Sequence, residues 1–85
     1  MNSLLYVRNL SYEVTQDQLR ELFSRAGEVF YICLITDRWT GVSKGFGFVQ
    51  MATEAASQKA VQLLHGLFWA EQSLLVHITV NSDRP

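Results

Sequence analysis

Tyr6 and Arg8 in one short stretch, and Lys44, Phe46, Phe48 and Gln50 in another, have the types and spacing to hold a flat, anionic ligand. Read with the two-residue period of a strand, Lys44 to Met51 puts Lys44, Phe46, Phe48 and Gln50 on one face and Gly45, Gly47, Val49 and Met51 on the other. A strand that only filled a core would bury its rings and avoid two glycines, which weaken strands and pack nothing. The glycines are therefore expected inward, against a closely approaching helix backbone, with the phenylalanines outward. In Leu5 Tyr6 Val7 Arg8 Asn9 Leu10 the same alternation buries Leu5 and Val7 and turns Tyr6 and Arg8 the other way. If the two strands are neighbours, Tyr6, Phe46 and Phe48 form one aromatic platform edged by Arg8 and Lys44. Rings and cations on an open sheet suit the stacking of single-stranded nucleic acid.

Both stretches resemble the paired signature motifs of the RNA recognition motif (RRM) family. The octamer pattern of basic residue, Gly, aromatic, Gly or Ala, Phe, Val, any residue, aromatic is met at seven of eight positions. The departure is Met51, which faces inward by parity and so bears on packing rather than stacking. The hexamer Leu5 to Leu10 and the spacing between the motifs also fit, so the resemblance covers nearly the whole chain. It implies that Tyr6 and Phe48 stack bases, that Phe46 wedges against a base or sugar, and that Lys44 contacts phosphate. It further implies that Arg8 contacts a base or phosphate and that the last strand, with His77, contacts bases. The implied partner is single-stranded RNA, with single-stranded DNA held more weakly, and neither a cofactor nor a small-molecule substrate is implied. Arg38 and Trp39, in the loop before Lys44, are candidates for clamping the strand. Ala70 Glu71 Gln72 stands where Gly-Arg often precedes the family's last strand, which removes one cation from that end.

The elements that must position these residues follow from pattern. Strands are predicted at about 4–8, 29–36, 45–51 and 74–80, and helices at about 16–26 and 54–65. Thr15 with Gln18 reads as a capping box, followed by Leu19, Leu22, Phe23 and Ala26 at helical spacing, with Gly27 as a left-handed C-terminal cap. Thr53 caps a second helix whose apolar positions are Ala56, Ala60, Leu63, Leu64 and Leu67, the small alanines packing beneath the inward glycines, and Gly66 ends it. In the second strand Val29, Ile32 and Leu34 point inward and Tyr31, Cys33 and Ile35 outward, and the step of three from Val29 to Ile32 demands a bulge. In the last strand Leu74, Val76 and Ile78 point inward. Strand, helix, strand, strand, helix, strand makes a two-layer α+β, ferredoxin-like sandwich: four antiparallel strands with two helices on one face.

Composition bounds the function. Eighty-five residues make one small domain, 1–85, and the hydrophobic fraction of 48% argues against disorder. Neither a secretory signal nor a membrane span is expected, so an intracellular protein is predicted; lone Cys33 agrees with a reducing compartment. The net charge of −1 runs against the basic footprint of most nucleic-acid binders. Binding is thus expected to rest on stacking more than on phosphate contacts, with modest affinity. His65 and His77 have no carboxylate or thiol at ligand spacing, so no metal site is predicted. A nucleophile with a nearby base or paired carboxylates cannot be assembled either, so no enzyme is predicted. The rival reading is a protein-interaction module of the same fold, which the apolar Ile35, Leu75, Trp39, Phe68 and Trp69 permit; the expected state is a monomer.

Overall fold

Alternating apolar residues build the sheet in the computed structural model, which describes residues 4–79. Strand β1, Leu4–Arg8, buries Leu5 and Val7 completely and leaves Tyr6 half-buried and Arg8 exposed. Helix α1, Gln16–Phe23, follows, then β2, Val29–Thr36, and β3, Ser43–Met51. Helix α2 is Glu54–Leu64, a short hairpin pairs β4, Phe68–Trp69, with β5, Gln72–Ser73, and β6 is Leu75–Ile78. The main sheet has the order β2-β3-β1-β6 with every pairing antiparallel. The fold is the ferredoxin-like sandwich that the pattern predicts.

Both helices cover one face of the sheet. Leu19, Leu22 and Phe23 from α1, and Ala60 and Leu64 from α2, close over Leu5, Val7, Ile32, Val49, Met51 and Val76. Fully burying each large apolar side chain contributes about 1.5–3 kcal/mol, so this single layer dominates stability. The helix starts are set by side-chain oxygens. Thr15 Oγ1 accepts from the Gln18 N–H at 3.1 Å while Gln18 Oε1 accepts from the Thr15 N–H at 3.0 Å, a complete capping box. Thr53 Oγ1 accepts from the Ala56 N–H at 3.0 Å in the same way. Among the described residues no helix is long and apolar enough to cross a membrane.

Several local expectations need correction. Helix α1 stops at Phe23, because Arg25 and Ala26 donate to the carbonyls of Leu22 and Phe23 in tighter three-residue turns. Gly27 has φ +154°, far from a left-handed cap; a Cβ there would meet the Ala56 Cβ at 2.8 Å, so it lets the start of α2 come close. The buried stripe of α2 is Ser57, Ala60 and Leu64, with Ala56 and Val61 half-buried beside it, whereas Leu63 is 50% exposed and Leu67 lies past the helix end. The atoms nearest the inward glycines of β3 do not belong to a helix backbone. A Cβ on Gly47 would come 2.5 Å from the Cys33 carbonyl oxygen, and one on Gly45 would come 3.1 Å from the Tyr12 ring and 3.2 Å from the Leu10 carbonyl oxygen. The close partners are thus strand β2 and the loop after β1.

Element ends also differ in detail. β3 starts at Ser43, α2 ends at Leu64, and β6 spans only Leu75–Ile78. Leu74 is buried, but its backbone is tied to the connection after α2: it donates to the Leu67 carbonyl at 2.9 Å and accepts from the Gly66 N–H at 2.7 Å. Val80, at the end of the predicted last strand, lies outside the described residues. The bulge in β2 falls between Val29 and Tyr31.

Candidate nucleic-acid interface

The face of the sheet away from the helices carries the candidate residues. Tyr6 lies directly opposite Phe48 on β3 and His77 on β6, and Phe48 lies opposite Cys33 on β2. One row therefore crosses the sheet as Cys33, Phe48, Tyr6, His77. The rings of Tyr6 and Phe48 have centroids 5.2 Å apart and planes 20° from parallel; Phe46 meets Tyr6 edge-on at 5.9 Å and 81°. All three rings are half-buried, so each is held at its base and offers surface to solvent. A second row runs from Tyr31 through Gln50 to Leu4. The Cys33 thiol beside the Tyr31 hydroxyl pushes that phenol above its ordinary 10.0, so it stays a neutral hydrogen-bonding group near neutral pH.

Cations border the rings. The Arg8 guanidinium carbon stands 5.5 Å from the Tyr6 ring centroid, within cation–π reach. Arg8 Nη2 is 3.4 Å from His77 Nε2, and the His77 ring lies 5.2 Å from that of His65. His65 Nδ1 in turn accepts from the Val76 N–H at 3.0 Å, which fixes the end of α2 against β6. Lys44 is exposed at the start of β3. Arg38 is not on the sheet: it sits in the β2–β3 loop with its guanidinium carbon 5.7 Å from the Trp39 ring centroid, and Trp39 is 86% exposed.

That loop is closed by backbone bonds from the Asp37 N–H to the Val42 carbonyl and from the Gly41 N–H to the Asp37 carbonyl, both 2.8 Å, and is further ordered by one carboxylate. Asp37 Oδ1 accepts from the Trp39 N–H at 2.7 Å and the Thr40 N–H at 3.0 Å, and these bonds, with a smaller contribution from the Lys44 charge, hold its carboxyl below the ordinary 3.8. Sequence reasoning did not anticipate a second ordering device, the β4–β5 hairpin. Its turn residues Ala70 and Glu71 both have positive φ, +53° and +68°, without the Asn-Gly pair that would betray such a turn. Asn9 ties the hairpin to the end of β1, donating to the Ser73 carbonyl at 2.7 Å and accepting from the Gln72 side-chain amide at 2.9 Å on its own carbonyl.

An open groove of about 350 Å³ runs along this edge of the platform, lined by Tyr6, Arg8, Tyr12, Lys44, Phe46 and Gln72 among others. Tyr12 was not singled out from the sequence; as an isolated aromatic in a polar loop it carries no periodic signal. Among the described residues there is no cluster of three or more His, Cys, Asp or Glu able to hold a metal ion.

Comparison with known proteins agrees with this geometry. The family model for the RNA recognition motif matches residues 5–74. RbpE of Nostoc sp., named as an RNA-binding protein, is 48% identical over 81 residues, covering 95% of this chain and 78% of its own length. The Rna15 RRM with bound RNA (GU) superposes with a TM-score of 0.88 at 28% identity, covering 99% of this chain and 89% of that one. An Sxl-lethal protein/RNA complex superposes with a TM-score of 0.90 at 29% identity, covering 96% of this chain and 49% of that one.

Proposed function

The chain belongs to the RNA recognition motif family, and from that premise we propose that it binds single-stranded RNA by stacking bases on Tyr6, Phe46 and Phe48. The observation that carries this reading is the Tyr6–Phe48 pair, two near-parallel rings 5.2 Å apart at the centre of an open sheet face. Stacking on an aromatic side chain contributes about 1–3 kcal/mol per base, so two or three bases supply most of the roughly 8 kcal/mol of a micromolar complex. Lys44 and Arg8 hold phosphates or a base edge, Gln50 offers an amide to a neighbouring base, and His77 extends the surface along β6. Arg38 reaches the strand from the β2–β3 loop. The 2′-hydroxyl favours RNA over DNA. One copy of the chain suffices, since every one of these groups lies on the same sheet face or its adjoining loop.

The test is a titration of labelled protein with short random-sequence single-stranded RNA, following backbone amide shifts. The amides of Tyr6, Arg8, Lys44, Phe46 and Phe48 should move together and saturate. With two or three phosphate contacts, the logarithm of affinity should fall against the logarithm of salt with a slope of roughly −1.4 to −2.1. Amides that stay still in a folded protein would overturn the reading.

A further inference from the structure

We infer that Tyr12 is a separate nucleobase-stacking subsite beyond the sheet, which takes the next base of a strand leaving the platform across Lys44. The inference rests on the RNA-binding reading above and adds a residue outside the sheet and outside both signature stretches.

Three observations converge on Tyr12. Tyr12 is 69% exposed, so its ring is open to a ligand from solvent. The ring is nevertheless held in place. Its edge rests on β3 at Gly45, where a Cβ would come within 3.1 Å of Cε1, and Gly45 at φ +85° occupies backbone space that glycine enters freely. The loop beneath it is stapled to the same glycine, Leu10 donating to the Gly45 carbonyl at 2.9 Å. Tyr12 itself stands in a turn closed by the Val14 N–H on the Ser11 carbonyl at 3.1 Å and by the Glu13 N–H on Ser11 Oγ at 3.3 Å. A ring so constrained loses little freedom on stacking, so more of the contact energy appears as affinity.

The third observation is its position. The groove that reaches the platform at Tyr6 and Phe46 has Tyr12 and Lys44 in its wall. A second open groove of about 420 Å³, continuing along the β2–β3 loop past Asp37, Thr40 and Val42, shares the same two residues. Tyr12 and Lys44 thus join two open channels into one path, which suits an extended polynucleotide better than a compact ligand. Lys44 supplies a cation for phosphate at the junction, while Asp37, in the wall of the second groove, opposes phosphate further along it.

The experiment compares a trinucleotide with an octanucleotide, both random-sequence single-stranded RNA, on full-length wild-type protein and on Tyr12→Leu and Tyr12→Phe. Leu still covers Gly45 but offers no ring, and amide spectra establish that each variant is folded. Tyr12→Leu should weaken octanucleotide binding about tenfold, the lower part of the range for one lost stacking contact. It should leave trinucleotide binding within about twofold, and Tyr12→Phe should bind both like wild type. Unchanged octanucleotide affinity in Tyr12→Leu, with wild type binding normally, overturns the subsite alone. Equal losses on both lengths also overturn it, because Tyr12 would then act only by shaping the platform. Wild type that binds neither RNA overturns the RNA-binding reading and the subsite together.

Discussion

Asn9 donates its side-chain amide to the Ser73 carbonyl at 2.7 Å, which ties the end of β1 to the β4–β5 hairpin. Asn9 stands at φ +62°, a conformation that Asn tolerates and Ala resists. Asn9→Gly keeps that backbone and the Gln72 bond to its carbonyl but removes the side-chain bonds to Ser73 and Gln72, which should cost about 1 kcal/mol. Asn9→Ala adds left-handed strain and should cost about 2–3 kcal/mol in all. Urea unfolding midpoints at unchanged slope measure both. Equal losses would mean that the backbone conformation contributes nothing.

Ala70 and Glu71 carry strain that the chain has not relieved. Both central residues of the hairpin turn are left-handed, at φ +53° and +68°, where Asn-Gly is the favoured pair. Glu71→Gly should therefore stabilise the domain by about 0.5–1 kcal/mol, the left-handed relief being partly offset by the greater freedom of glycine in the unfolded chain. Ala70→Asn should add a similar amount. A fall in thermal midpoint for either would show that the turn is not strained.

How much was legible follows from the same residues. Leu5, Val7, Val49 and Met51 alternate with Tyr6, Arg8, Phe48 and Gln50, and a period of two lets only one face be buried, so both central strands and the meeting of Tyr6, Phe46 and Phe48 could be read directly. The capping box at Thr15 was equally plain because its two bonds are local in sequence. The hairpin at Phe68–Ser73 was hidden because Ala70 and Glu71 adopt a turn against their own preference. The partners of Gly45 and Gly47 were misassigned because a glycine signals close approach without saying what approaches; here it was β2 and the Tyr12 loop. In α2, a run containing Leu63, Leu64 and Leu67 left the helix phase ambiguous, and packing chose Ser57, Ala60 and Leu64.

Gly47 is the position where a single methyl group should do most harm. It lies opposite Val7 on β1 and Leu34 on β2, and an added Cβ would stand 2.5 Å from the Cys33 carbonyl oxygen and 3.1 Å from the Leu34 Cα. Both are backbone atoms of the neighbouring strand, so relief requires the β2–β3 ladder to open. Gly47→Ala should cost about 3 kcal/mol, at the upper end of overpacking. Denaturant unfolding tests this, and a cost under about 1 kcal/mol would show that β2 yields easily.

Acid should loosen the β2–β3 loop before the core. Asp37 is held below its ordinary 3.8 by the N–H groups of Trp39 and Thr40, so the order it confers is present above that value and is lost as pH falls through the lower, folded value. Below it the protonated carboxyl accepts those bonds weakly, and the amide signals of Trp39 and Thr40 should shift and exchange faster while those of β1 stay put. Asp37→Asn keeps an accepting oxygen but cannot titrate, so the acid-driven change should vanish. An acid transition in the loop of Asp37→Asn would assign the effect to another group.

The two central rings should act as a coupled unit in RNA binding. Tyr6 and Phe48 pack on each other at 5.2 Å and 20°, with Arg8 over Tyr6, so truncating either ring removes a stacking surface and also the lateral support of the other. Each of Tyr6→Ala and Phe48→Ala should weaken RNA binding by about 1–3 kcal/mol. The double variant should lose less than the sum, by about 0.5–1.5 kcal/mol, because the second truncation removes a ring already displaced. Both side chains lie on the outer face and are only half-buried, so the folded domain should survive for the comparison. A full double-mutant cycle by titration calorimetry reads the coupling. Strict additivity would mean that the rings hold separate bases independently, each kept in position by its own strand rather than by its neighbour.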